Sequence, residues 1–313
     1  GEFYHRVVNL TAVLVAKWQA LGFTHGVLNT DNLSILGLTI DFGPFGFVDV
    51  YDPNFIPNTS DDEGLYRYNA QPSICYKNLD KLGIALSPLL MDGLPEARTT
   101  STPPPAGPNR FASILKRNYW EAFDEEYMRL FRSKLGLTIA MPSDRQLLEE
   151  LLSLMAQSRA DWTAFWRVLS EIHGLGQPAT GHSDTAGGSE DPANAPVRWG
   201  GVFSVLETVM HETLEGAMQS AWMRWLTKYL ERCGAESVAP AATIALMRQV
   251  NPQYIPRNHL LQQAAKKASQ KDFSEVTRQL HLLQSPFQLQ PEFQQYANAA
   301  PSWAKDLKVS CSS

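Results

Sequence analysis

Apolar residues recur at helical spacing along almost the whole of this chain, and the early stretch where they do not is short. Val7, Val8, Leu10, Val13, Leu14 and Trp18 share one face of a helix predicted over 4–21, with Gly22 just past its end as a stop signal. The period then changes. Leu33-Ser34-Ile35-Leu36 and Leu38-Thr39-Ile40-Asp41 read as two short strands around a tight turn at Gly37, followed by Phe42-Gly43-Pro44-Phe45-Gly46-Phe47. Residues 48–70 are rich in Asp, Asn, Pro, Gly and Ser and are expected to form a long polar loop, a kind of segment that is usually functional.

Beyond that loop the helical period returns over 78–90, 111–135, 144–173, 199–232, 239–250, 257–269 and 272–283, so the chain is mainly α. Tyr119, Trp120, Phe123, Tyr127 and Phe131 anchor the long 111–135 helix. Trp222, Trp225 and Tyr229 fall at core-packing spacing, in preference to a base-stacking platform. Two low-complexity stretches, 95–109 with its Thr-Thr-Ser-Thr-Pro-Pro-Pro run and 174–196, cannot build a core and read as surface insertions. The organisation expected is a first part over 1–90, a Pro/Thr-rich linker over 91–110, a helical continuation over 111–173, a disordered insertion over 174–198 and a helical C-terminal region over 199–313.

Composition narrows the function. With 27 basic and 32 acidic side chains and a net charge of −5, there is no basic surplus for a general phosphate-backbone footprint, so nucleic acid is not expected as principal partner. Apolar runs such as 11–16 are broken by Lys17 well short of the roughly 20 residues of a membrane span, and the chain reads as soluble. The three cysteines, Cys75, Cys233 and Cys311, are odd in number and widely spaced, which excludes a disulfide framework and a CxxC zinc knuckle.

The chemistry concentrates in His25-Gly26-Val27-Leu28-Asn29-Thr30-Asp31-Asn32 and the following Asp41-Phe42-Gly43. A loop offering Asp then Asn, and then an Asp-Phe-Gly after a short hairpin, is the order in which kinase-like folds set a base and hard oxygen ligands for Mg²⁺ around nucleotide phosphates. Val27 stands where ordinary protein kinases carry the catalytic Asp, which leaves Asp31 as the carboxylate of the loop. The other reading of Asp31, Asn32 and Asp41 is a loop and turn held by Asx hydrogen bonds. His25 reads as a hydrogen-bonding core residue. His211-Glu212-x-x-Glu215 lacks the second His of a zinc helix and reads as a solvated helix face, as do Lys266, Lys267 and Lys271. Arg257 and Asn258 open a helix and read as capping and packing.

The run from His25 to Asp31-Asn32 and on through Ser34–Phe47 resembles selenoprotein O and its bacterial YdiU relatives, a family of protein adenylyltransferases. Gln71-Pro72, Asn78-Leu79, Asn251-Pro252-x-Tyr254, Arg257-Asn258, Asp272-Phe273-Ser274-Glu275-Val276 and the terminal Ser310-Cys311-Ser312-Ser313 extend the resemblance over nearly the whole chain. It implies the C-lobe of a protein-kinase-like (pseudokinase) fold, with a short β-hairpin at the catalytic loop and a helical C-terminal extension. It also implies transfer of AMP from ATP to Ser, Thr or Tyr hydroxyls of proteins, with release of pyrophosphate.

On this resemblance Asp31 is the base, Asn32 and Asp41 are the Mg²⁺ and nucleotide ligands, and Cys311 is a redox residue paired with a cysteine in the loop after Asp-Phe-Gly. The matching segment here reads Phe55-Ile56-Pro57-Asn58, with Pro57 at the usual cysteine position; Cys75, further along, could substitute only with the two Cα atoms within about 7 Å. A mitochondrial location is implied in the same way. No segment supplies the strand-rich N-lobe that grips a nucleotide, so the chain is expected to be the C-terminal part of a longer protein. The rival reading is a non-catalytic truncated pseudokinase acting as an interaction or redox scaffold.

Overall fold

The computed structural model describes residues 1–90, 110–175, 199–236, 238–307 and 309–310. The low-complexity stretches at 95–109 and almost all of 174–196 lie outside these residues, and so does Cys311. Two units are present. Unit 1 contains residues 1–46, 53–130 and the chain's last residues; unit 2 contains 47–52 and 131–307.

Unit 1 is built on α1 (Glu2–Leu21), whose apolar stripe Val7, Val8, Ala12, Val15 and Ala16 is almost wholly buried. Gly22 closes it in the left-handed conformation, its amide returning to Gln19 and Trp18, as its position in the sequence predicts. Helix α2 (Gln71–Leu86) packs on α1. It begins well before the expected 78, because Pro72 occupies the first turn, where a missing amide costs nothing. Tyrosine hydroxyls tie the unit together across the chain: Tyr4 donates to the Leu79 carbonyl (2.7 Å), Tyr68 to Gln19 (2.6 Å) and Tyr119, on the long α3 (Arg110–Lys134), to Pro72 (2.8 Å).

A two-stranded sheet does form at the loop, but from β1 (Phe23–Thr24) and β2 (Gly46–Phe47), which bracket it. The strands expected at 33–36 and 38–41 are absent. A turn is there, with the Gly37 amide donating to Ser34 (3.2 Å), but its arms leave Leu36 65% and Leu38 57% exposed. A lone hairpin with no buried face is marginal, and these arms stay unpaired.

Unit 2 consists of α4 (Asp144–Gln157), α5 (Trp162–Leu175), α6 (Trp199–Glu207), α7 (Gly216–Gly234), α8 (Pro240–Val250), α9 (Asn258–Ser269) and α10 (Ser274–Leu283). Its core is aromatic: Trp162, Trp166, Trp222, Trp225 and Tyr229 are all at most 1% exposed, so the core reading of the tryptophan row holds. Helix α5 packs on α6 and α8, α4 on α7, and α9 on α10.

The helices expected over 144–173 and 199–232 are each two. Residues 158–161 leave the helix to make long-range bridges: Asp161 donates its amide to Val209, and Tyr51 donates to Ala160 (2.7 Å). Arg159 adopts a positive φ of 52° to allow this. His211 and Glu212 are exposed, as expected, but lie in the connection between α6 and α7 and not on a helix. No helix among the described residues is long and apolar enough to cross a membrane.

Candidate functional site

The loop after β1 is held at successive backbone positions by amide side chains. Buried Gln71 spans its start, accepting from the His25 amide and donating to the Phe23 carbonyl, both at 2.9 Å. Asn58 donates to Gly26 (3.2 Å), Asn32 to Val27 (3.1 Å) and Asn78 to Leu28 (2.9 Å). Tyr66 donates to the Asn29 side chain (2.6 Å), and Leu28 plugs into the core, 1% exposed. Hydrogen bonds to the Gly26, Val27 and Leu28 carbonyls in succession restrain the loop, and with it the side chains it presents.

Gly26 explains how closely the loop meets the next segment. Its φ is +85°, and a Cβ there would stand 2.3 Å from the Pro44 carbonyl oxygen, so only glycine fits. His25 makes the second link, its Nε2 donating to the Ile40 carbonyl (2.8 Å) immediately before Asp41. Burial lowers the His25 pKa, against the opposing pull of the Ile40 bond and of Asp41. Among the described residues its buried Nδ1 has no hydrogen-bond partner, which suits a neutral ring. The core reading of His25 therefore holds, and the residue it positions is the one before Asp41.

Asp41 itself adopts a left-handed φ of 54°, and the Gly43 amide closes a tight turn on its carbonyl (2.8 Å). Aspartate is among the few residues that tolerate this region. Phe42 and Phe45 stack edge to face beside Phe23, and Trp18 donates to Thr39 (2.9 Å), fixing the turn from both sides.

Asp31 sits in a short 3₁₀ turn, Thr30–Asn32. Among the described residues neither the Asp31 nor the Asp41 carboxylate makes an ion pair or hydrogen bond, and both residues are exposed. Tyr66 feels Asp31: burial, Asp61 and Asp31 together raise its pKa. The Asn32 bond to Val27 uses an amide hydrogen and leaves its oxygen as a possible ligand. No group of three or more His, Cys, Asp or Glu suited to a metal occurs among the described residues. Mg²⁺ does not require one, since it is commonly held by one or two protein oxygens with the remainder from phosphates and water; Asn32 and Asp41 fit that donor set.

Thr59 donates to the Val309 carbonyl through its amide (2.8 Å) and its hydroxyl (3.0 Å), beside Asn58 and Pro57. Cys311 lies outside the described residues. Cys75 is fully buried in α2, and burial pushes its thiol far up from the ordinary range.

Sequence reasoning gave Gln71 and Asn78 no role, and passed over Asn58 and Tyr66 inside the polar loop. Their signal was their chemistry: side-chain amides and a phenol are what an irregular backbone needs as partners. Arg257 was also under-read. Its backbone does start α9, with Leu260 donating to its carbonyl (2.9 Å), but its side chain is 1% exposed and joins Asp161 (2.9 Å) and Asp49 within unit 2.

Comparison with known proteins now bears on this geometry. The model of the family described as protein adenylyltransferase SelO matches residues 1–284. A protein nucleotidyltransferase YdiU from Thioalkalivibrio sulfidiphilus is 42% identical over 309 residues, covering 98% of this chain and 54% of the relative. Namesakes from Cupriavidus metallidurans and Vibrio cholerae are 40% and 38% identical, over 97% and 100% of this chain and 50% and 55% of their own. The chain thus spans about half the length of the curated relatives it matches.

Proposed function

Because this chain belongs to the family of protein adenylyltransferase SelO, we propose that it carries the acceptor and metal side of an AMP-transfer site, on a unit 1 that corresponds to the C-lobe of a kinase-like fold. The observation that carries the reading is a contrast: side-chain amides tie down the Phe23, Gly26, Val27 and Leu28 carbonyls, while among the described residues the Asp31 and Asp41 carboxylates are exposed and unpartnered.

In this reading Asp31 accepts the proton of a Ser, Thr or Tyr hydroxyl on a protein substrate. The hydroxyl oxygen forms a bond to the α-phosphorus of ATP, the bond to the oxygen bridging the α- and β-phosphates breaks, and pyrophosphate leaves with that electron pair. Asn32 and Asp41 would hold Mg²⁺, which when bound neutralises charge developing on the leaving pyrophosphate. His25 keeps the Ile40–Asp41 backbone in place and takes no proton.

The test is label transfer by the chain to protein acceptors. ATP labelled at the α-phosphate should leave label on protein in a Mg²⁺-dependent way, while ATP labelled at the γ-phosphate should not. Transfer of the γ-label would make it a kinase, and no transfer of either label would favour the non-catalytic scaffold.

A further inference from the structure

Unit 1 has a cleft of about 340 Å³ directly beside the loop. Thr30, the first residue of the turn that carries Asp31 and Asn32, forms part of its lining. Its walls are mainly apolar, from Val7 of α1, Leu33 and Ile35 of the arm after the loop, and Leu82 of α2, with the polar side chains of Ser34 and Asn78 among them. Lys81 is the one charged side chain that lines it. Lys81 is exposed, and among the described residues it has no carboxylate or hydrogen-bond partner. Ile35 is 45% exposed although it faces an apolar pocket.

An apolar hollow with a single unneutralised cation on its lining suits an aliphatic side chain next to a carboxylate. The position of Thr30 makes this hollow continuous with the residue that would receive the acceptor's proton. We infer that the cleft is the subsite for the acceptor polypeptide: it takes an aliphatic residue and an adjacent Asp or Glu flanking the hydroxyl to be modified. This deepens the transferase reading and rests on it for the role of Asp31. The cleft itself is defined without it.

Binding and transfer separate the two. A fluorescein-labelled peptide with one serine flanked by leucine and glutamate is titrated with the chain, without ATP, and read by fluorescence anisotropy. Binding should weaken about tenfold in Lys81→Glu, and a matching peptide with lysine in place of glutamate should show the reverse preference. The reversal controls for misfolding, since a damaged protein gains affinity for neither peptide. Equal binding of both peptides by both proteins, no binding of the acidic peptide by the wild type, or displacement of the peptide by Mg²⁺ and ATP would overturn the assignment. If the charge swap works but no α-label reaches the peptide, the cleft stands and the transferase reading fails. If label is transferred without regard to the flanking charge, the transferase stands and the cleft assignment fails.

Discussion

The same residue type does opposite work in the two units. In unit 2 the acidic groups of Asp144, Asp161 and Glu236 are buried and matched. Asp144, 0% exposed, accepts from Arg232 (2.7 Å) and from the Met141 amide (2.8 Å). Glu236 accepts from Thr138, Ile139 and Arg232; burial alone would raise its pKa, but these partners outweigh burial and hold it below the usual range. Asp161 and Asp49 share Arg257, and Asp161 also caps α5 through the Ala164 amide (2.9 Å). In unit 1, by contrast, the Asp31 and Asp41 carboxylates are left in solvent on a backbone held by neutral amides. Leaving a buried charge without its partner is strongly destabilising, so pairing there is structural. A rigid loop that exposes unpaired carboxylates spends its order on presenting oxygen atoms, which is what a site for a proton and a cation requires.

The sharpest way to break this comparison is to strip one of the buried groups of its partner. Arg257→Met leaves Asp161 buried without its cation and should cost about 3–5 kcal/mol in urea unfolding; a loss under about 1 kcal/mol would mean that the triad is not structural. Gly26→Ala should cost about 2 kcal/mol or more, since the methyl group meets the Pro44 carbonyl and demands a positive φ. Near-wild-type stability in that variant would show that the loop is not held as tightly as its hydrogen bonds imply.

Lys134 sharpens the rule from the other side. It is buried, lies 4.6 Å over the Trp166 ring, and burial lowers its pKa to about 7. The folded state therefore binds fewer protons than the unfolded state between about pH 7 and the ordinary lysine range near 10.4. The penalty is full below about pH 7 and fades as pH rises through that window. Lys134→Met should accordingly gain stability relative to the wild type at pH 6, offset by the lost contact with Trp166, and keep little of that gain at pH 10. A pH-independent difference in unfolding free energy would contradict this. Tyr66→Phe should have the smallest effect, about 0.5–1 kcal/mol, because only the exposed bond to Asn29 is lost; a several-kilocalorie loss would show that Tyr66 holds more of the loop than that bond.

Much of this was legible from residues alone where local rules decide. The α1 stripe and its Gly22 stop, the span of α3, and the tryptophan row of α7 all follow from periodicity and caps. What failed is where partners distant in sequence decide. Nothing in Ser158-Arg159-Ala160-Asp161 looks like a breaker, yet bridges to Tyr51 and Val209 pull it out of the helix. The expected hairpin at 33–41 had the right residues but no face to lie against. The Asp31, Asn32 and Asp41 positions were visible as chemistry, whereas their support from Gln71, Asn58, Asn78 and Tyr66 depends on folding that brings together residues far apart in the chain. Arg257 could be seen as the start of a helix, but the pairing of its side chain with Asp49 spans most of the molecule's length.

The most direct test of the account joins the two halves of the comparison in one variant. Asp41→Asn keeps shape and removes the charge, so its urea midpoint should match the wild type, because that carboxylate supports nothing. Transfer of α-labelled phosphate from ATP to protein acceptors, measured on that folded variant, should fall by about 100-fold or more. Labelling at the wild-type rate would contradict the assignment of Asp41 as a ligand at an AMP-transfer site.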